Sequence, residues 1–160
     1  MEVSPPRPSL GAAIATWIAL GLLAIAVLAS CIALVPLSQL AATEYPEFND
    51  LRVPLLTLGL AFGLCVEVIL ASTAVLVGFI RQDEIFNPDA ARLVNLLATS
   101  VAVATVLAGA TLAFIPGPPL LAFAVIASVL VGVTLFLVLL VLRSLLQRAV
   151  LMRTELDEVV

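Results

Sequence analysis

One acidic residue, Glu67, lies inside a long apolar stretch and is the side chain of this sequence best placed to do chemistry. It stands about midway along the run from residue 54 to residue 80. A carboxylate surrounded by hydrocarbon costs roughly 2.5–3.5 kcal/mol on insertion scales, so its presence needs an explanation. Two interpretations are open: a proton- or cation-coupled site, or a neutral acid whose hydrogen bonds hold helices or subunits together.

Small residues surround Glu67 at the spacing of one helical face. Steps of three or four positions place residues on the same side of a helix, and the residues are Gly59, Gly63, Ala71, Ala74 and Gly78. Because small residues let membrane helices approach closely, we expect Glu67 to face other helices or a cavity rather than lipid. No apolar stretch contains a cation, so we expect the acid to be protonated or hydrogen-bonded. The candidate hydroxyl donors are Ser30, Thr99, Ser100, Thr105 and Thr134.

The other residue types offer little for catalysis or metal binding. The chain has no His, which is a common general base and metal ligand. It also lacks a phosphate-binding glycine loop and a Ser or Cys nucleophile with a basic partner. The acids Asp83, Glu84 and Asp89 do not have the alternating spacing and central glycine of a calcium loop. We therefore expect no enzymatic activity, no cofactor and no metal site.

The two cysteines, Cys31 and Cys65, both lie within apolar runs. At about 1.5 Å per residue in adjacent antiparallel helices, their expected depths differ by roughly 15 Å. A disulfide requires Cα atoms about 4.4–6.8 Å apart, so we expect two unpaired thiols.

The composition indicates that lipid, rather than water, surrounds most of the chain. Hydrophobic residues make up 63% of the 160 residues and charged residues 11%, and the mean hydropathy is +1.27. Soluble domains carry about 25% charged residues, so a water-facing surface is excluded for much of this chain. Four stretches are long enough to span a bilayer as helices: residues 10–34, 54–80, 93–115 and 120–142. We predict an all-α membrane protein with one domain, a bundle of four transmembrane helices.

Prolines mark the expected ends of these helices. Pro36 follows the first stretch, and Pro54 suits the first turn of the second helix, where a missing N–H costs nothing. The segment Asn87-Pro88-Asp89 is typical of an N-cap, a first helical residue and a first-turn acid, so the third helix is predicted to begin near Pro88. The Pro-Gly-Pro-Pro segment at 116–119 predicts a tight turn and an antiparallel hairpin.

The arginines predict the orientation. With four spans, six of the seven arginines fall on one side of the membrane: Arg7, Arg81, Arg92, Arg143, Arg148 and Arg153. The other side has only Arg52, beside Glu44, Glu47 and Asp50. Because cytoplasmic segments carry the excess of positive residues, we expect both termini in the cytoplasm.

Beyond Leu142 the apolar residues follow a heptad spacing, which predicts that the fourth helix continues as an amphipathic extension through the tail 143–160. The stripe consists of Leu142, Leu145, Ala149, Met152, Leu156 and Val159. Two interpretations are open: packing on the protein's own cytoplasmic loop, or docking of a partner or a second copy. Phe86 in that loop either tucks against the helix ends or belongs to the docking surface.

Two segments resemble the DUF2975 family of membrane proteins. Residues 83–93, DEIFNPDAARL, are similar to the family's acidic-x-Phe-x-x-(Asn or Asp)-x-x-x-Leu loop, although the family commonly has Glu-Asn where this chain has Pro88-Asp89. Residues 142–149, 151–153 and 155–160 are similar to the family's C-terminal end. The resemblance implies a bacterial inner-membrane protein with four spans. Some members are encoded beside small helix-turn-helix regulators, which implies a cytoplasmic regulator as a partner.

We therefore expect a non-catalytic inner-membrane module that acts in interaction, regulation or sensing through its cytoplasmic loop and C-terminal helix. Its expected partners are the lipid bilayer and either a second copy or a cytoplasmic regulator protein, with no direct contact to nucleic acid. The alternative is a small oligomeric transporter or channel in which Glu67 is the proton- or cation-coupled site.

Overall fold

Four long helices make up most of the computed structural model, which describes residues 10–81, 88–114 and 119–157. They are α1 (Leu10–Glu44), α2 (Asn49–Arg81), α3 (Pro88–Thr111) and α4 (Pro119–Asp157), with short 3-10 turns at Pro46–Phe48 and Leu112–Phe114. All four helices are long and apolar enough to cross a membrane, and no strand occurs in these ranges. The predicted all-α architecture with four spans is confirmed.

Helix α1 does not end at Pro36 but continues through it to Glu44, so the expected break was wrong. A proline inside a helix removes one N–H, which leaves the carbonyl of Ile32 without its helical partner. In hydrocarbon, ending the helix there would leave several backbone groups unpaired. The single lost hydrogen bond is the smaller penalty, and the helix persists.

Helix α2 also begins earlier than predicted. It starts at Asn49, so Pro54 lies in its second turn rather than its first. The turn Pro46–Phe48 leads directly into it, and Asp50 places a negative charge in the first turn, where the helix dipole favours it. Helices α1 and α2 therefore form a hairpin joined by only four residues, 45–48.

Pro88, where the third helix was expected to begin, is helical and is the first described residue of α3, and α4 runs unbroken past Leu142 to Asp157 as predicted. With 39 residues, α4 is roughly 58 Å long at 1.5 Å per residue. The hydrocarbon core of a bilayer is only about 30 Å thick, so much of this helix lies outside it.

The helices pack mainly on their neighbours in sequence. Helix α2 contacts α1 and α3, and α3 contacts α2 and α4. Across the described ranges, α1 and α4 share no extensive contact, so the bundle is open on one side. Most of the buried side chains accordingly belong to the two inner helices, for example Leu70 on α2 and Val94 and Ala98 on α3.

On each outer helix, only one narrow stripe of residues is partly buried. The stripe residues are spaced alternately by three and four positions. On α1 the stripe contains Leu20, Ala24, Val27, Cys31, Leu34 and Ser38. On α4 it contains Ala122, Val125, Val129, Gly132, Phe136, Leu139 and Arg143. This is the spacing of a coiled-coil seam. The residues between the stripe positions are exposed on both helices, and lipid is the solvent that suits them.

Candidate functional site

The small-residue face predicted on α2 is the side on which α1 packs. A Cβ atom added to Gly59 would lie 2.7 Å from Cδ2 of Leu34, and one added to Gly63 would collide with Sγ of Cys31. Near the other end, a Cβ on Gly78 would lie 3.9 Å from Cζ2 of Trp17. As the residue number rises along α2, the number of the contacting residue on α1 falls, so the two helices are antiparallel. They approach most closely at the GxxxG of residues 59–63.

This register revises the expected depths of the cysteines. Cys31 lies against Gly63, and Cys65 is only two residues further, about 3 Å along the helix axis. The predicted separation of 15 Å was wrong because α1 extends through Pro36 and shifts the pairing with α2. Both thiols are nonetheless free. Two residues correspond to a rotation of about 200°, so Cys65 lies on the opposite side of α2 from Gly63. The two sulfur atoms are therefore separated by their positions around α2 rather than by their depths.

Glu67 lies at the edge of the side of α2 that faces α1. A step of four residues advances about 40° beyond a full turn, so Glu67 is rotated by that angle from Gly63. Its side chain is half-buried, and its Oε1 atom is buried with no hydrogen-bond partner among the described residues. The next step takes Ala71 about 80° from Gly63, and Ala71 is exposed, whereas Ala74 is partly covered. Ala71 therefore does not belong to the packing face, because strict four-residue spacing drifts around a helix.

Four of the five candidate donors are occupied elsewhere. Each donates its proton to the carbonyl four residues earlier in its own helix: Ser30 at 2.8 Å, Thr99 at 2.9 Å, Thr105 at 2.7 Å and Thr134 at 2.8 Å. A hydroxyl has one proton, so none of these four donates to Glu67. The fifth, Ser100, is buried within α3. These four hydroxyl groups therefore do not form the hydrogen bonds to Glu67 that the sequence predicted.

Helix faces explain this outcome. Thr105 packs on Gly132 of α4, and a Cβ on Gly109 would lie 3.8 Å from Cγ2 of Val129, so this side of α3 faces α4 rather than α2. Thr99 is exposed. Hydropathy places these hydroxyls within the spans but does not determine which neighbour they face.

A cavity of about 420 Å³ lies at the end of the α1–α2 hairpin. The last turns of α1, the first turns of α2 and Phe114 line it, the cavity is open on one side, and its walls are mostly apolar. Among the described residues that line it, the one cationic side chain is Arg52, which is half-buried and donates from Nε to Oγ of Ser38 at 3.4 Å. The sequence did not predict this site, because its α1 wall lies beyond the expected break at Pro36. The isolated Arg52 was the available signal.

The predicted docking stripe on the extension of α4 begins with two exposed leucines. Leu142 is 42% exposed and Leu145 is 58% exposed. The seam that packs on α3 continues instead at Arg143. At about 100° per residue, Leu142 lies roughly 100° and Leu145 roughly 160° around the helix from Arg143. Ala149, Met152 and Leu156 lie within α4, but their side chains are outside the described part of the structure, as are Phe86 and Val159 entirely.

These helices define the class of the protein: it is a multi-pass α-helical membrane protein. The chain belongs to the DUF2975 family, since the family model described as "Protein of unknown function (DUF2975)" matches residues 36–160. The resemblance seen in the sequence is therefore confirmed, and the match covers α2, α3, α4 and the last part of α1. No curated protein and no solved structure gives a significant match.

Proposed function

We propose that this chain is a non-catalytic interaction module of the bacterial inner membrane that acts through the C-terminal extension of α4. The observation that carries the proposal is an apolar stripe that begins with the exposed Leu142 and Leu145, at the end of the apolar span Ala122–Leu145, and continues by sequence beyond that span. Exposed apolar side chains are ordinary where lipid covers them. On a helix that leaves the hydrocarbon, a contiguous apolar stripe instead indicates a docking surface.

The stripe is separate from the protein's own packing seam. Phe136, Leu139 and Arg143 continue the side that faces α3, whereas the leucine stripe begins one position earlier. By sequence, the stripe continues at Ala149, Met152 and Leu156 with heptad spacing, which suits a second amphipathic helix. The proposed partner is a cytoplasmic regulator protein, and a second copy of this chain is the alternative occupant.

The arginine distribution supports a cytoplasmic location for this surface. Six arginines, including Arg81, Arg143 and Arg148, fall on one side of four spans, and Arg52 is alone on the other. Under the positive-inside rule, the extension and both termini face the cytoplasm.

Site-specific photocrosslinking in native membranes tests the proposal. A photoreactive residue at position 145 should capture a defined protein, whereas one at the exposed position Gln147, on another face of the same helix, should not. Mass spectrometry of the adduct identifies the occupant as a regulator or a second copy. Equal capture at both positions, or none at either, refutes a docking stripe.

Truncation after Leu146 provides the functional test. The truncated chain keeps all four spans and should remain folded in the membrane, but it should lose the adduct and the cellular function. A fully functional truncated protein would contradict the proposal.

A second candidate function rests on Glu67, whose Oε1 is buried without a partner in the part of the chain that the structure describes. An unpaired polar atom in a packed interior costs stability, and such groups often belong to proton or cation pathways. The candidate is a small oligomeric transporter or channel. In liposomes, Glu67→Gln should abolish a pH- or ion-dependent flux without loss of assembly, and a flux no greater than that of empty liposomes eliminates this candidate.

A further inference from the structure

We propose that the cavity at the end of the α1–α2 hairpin binds a single-chain anionic amphiphile, with its chain in the apolar cavity and its acid group on Arg52. The site lies at the opposite end of the bundle from the docking stripe. It does not depend on the function proposed above.

The size and walls of the cavity favour a small apolar ligand. Its volume of about 420 Å³ falls within the range of about 300–1,000 Å³ that is typical of small-molecule sites. Small side chains on α1 create the space, because Ser38, Ala41 and Ala42 line it opposite Leu55 and Leu56 of α2. A volume near the lower end of the range favours one chain over the two chains of a phospholipid.

The position of the cavity favours an amphiphile rather than a wholly apolar molecule. Its lining on α1 runs from Leu34 to Tyr45, which is roughly 16 Å along the helix axis. Leu34 lies within the apolar span, whereas Tyr45 is an exposed aromatic residue at the hairpin, where aromatic side chains mark the membrane interface. A ligand aligned with this groove therefore has one end in hydrocarbon and the other at the headgroup level.

Arg52 supplies the recognition of an acid. A guanidinium has five N–H donors, and the structure records one hydrogen bond for Arg52, from Nε to Ser38. Glu44, Glu47 and Asp50 are close in sequence but exposed, and within the described ranges none of them forms an ion pair with Arg52. The remaining donors suit a carboxylate or a phosphate, which arginine binds in a bidentate manner.

Ligand binding to the full-length protein in phosphatidylcholine nanodiscs tests this site. The probes are lauric acid and lauryl alcohol, which share one chain and differ in the acid group. Binding is measured by displacement of a fluorescent fatty acid. The wild-type protein should bind lauric acid saturably and at least about tenfold more tightly than the alcohol, as expected for a charge-assisted hydrogen bond.

Three variants separate the roles of charge and cavity. Arg52→Gln should reduce the affinity for lauric acid about tenfold and leave that for the alcohol unchanged, and Arg52→Lys should retain part of the preference. Ala41→Trp, which fills the cavity from the exposed edge of α1, should abolish binding of both. Glu47→Gln, a charge change on the exposed part of the same hairpin, is the matched control and should change neither.

Three outcomes would overturn the proposal. The first is a wild-type protein without saturable binding. The second is equal affinity for acid and alcohol that Arg52→Gln does not alter. The third is displacement of the probe by phosphatidylglycerol in preference to lauric acid, which would make a two-chain lipid the occupant. Because the assay measures binding alone, it leaves the proposal for the C-terminal extension unaffected.

Discussion

Single glycines decide how closely the helices of this protein approach one another. The tightest case joins α3 and α4, where a Cβ on Gly132 would lie 3.0 Å from Cγ2 and 3.1 Å from Cβ of Thr105, and closer still to Oγ1. A rotamer change can move the outer atoms of threonine but not its Cβ. The contact between Gly132 and Thr105 is therefore rigid. At Gly63 the close atom is only Sγ of Cys31, which a rotamer change can move.

We predict that Gly132→Ala lowers the free energy of unfolding by about 1–3 kcal/mol through overpacking. The double variant with Thr105→Ala should recover part of the loss, because two of the three clashing atoms disappear. Reversible unfolding in mixed detergent micelles measures both. Gly21→Ala is the control, since no atom of the described residues lies within 4 Å of a Cβ at that position. A loss there equal to that of Gly132→Ala would contradict the packing explanation.

Glu67 is the other residue for which the structure permits a sharp prediction. Its Oε1 is buried and has no partner within residues 10–81, 88–114 and 119–157, so we expect Glu67→Leu to raise the free energy of unfolding by about 1–3 kcal/mol. Glu67→Gln, which keeps a polar atom in place, should change it less. The same unfolding assay applies. If Glu67→Leu is instead destabilising, the carboxyl group holds the helices together, as the structural interpretation of this acid requires.

At the scale of helices, the face of α2 matters more than depth. The wild-type protein contains Cys31 and Cys65 at nearly the same level, and both are free. Gly63, two residues before Cys65, lies directly against Sγ of Cys31. Positions 63 and 65 of α2 therefore lie at nearly the same depth but on opposite sides of the helix, so they can be compared directly.

We predict that Gly63→Cys in a Cys65→Ser background forms a disulfide with Cys31 on mild oxidation. The wild-type protein should not form a disulfide between Cys31 and Cys65. The sulfur of Cys31 contacts one side of α2, whereas Cys65 lies on the other side of that helix. Mass spectrometry of peptides detects the crosslink. A Cys31–Cys65 disulfide, or none in the variant, would show that the register of α1 on α2 is different.

At the scale of the whole molecule, the arginine distribution predicts the topology. A green fluorescent protein fused to the C terminus should fluoresce in a bacterial host, because it folds in the cytoplasm. Alkaline phosphatase should be active when fused after Phe48 and inactive when fused after Arg81. The reverse activities would place the docking stripe outside the cytoplasm and exclude a cytoplasmic partner.

The open order of helices also places the two proposed sites apart. The cavity lies at the α1–α2 hairpin, and the exposed stripe begins at the far end of α4. Helix α3 packs on both α2 and α4, so it is the element that physically connects the two regions.

The sequence by itself determined the four spans and the unbroken extension of α4, because hydropathy and helix length are local properties. It did not determine where α1 ends, since the penalty for Pro36 depends on whether water or hydrocarbon surrounds the backbone.

Only the tertiary structure decided which faces meet. In a soluble protein, the apolar side of a helix identifies its buried side, but here the sides that face lipid are equally apolar, so periodicity does not separate them. The register of Cys31 on Gly63, the exposure of Ala71, the direction of Thr105 and the cavity beside Arg52 all depend on how small residues fit between neighbouring helices. That fit is a property of pairs of helices, and no single segment of the sequence contains it.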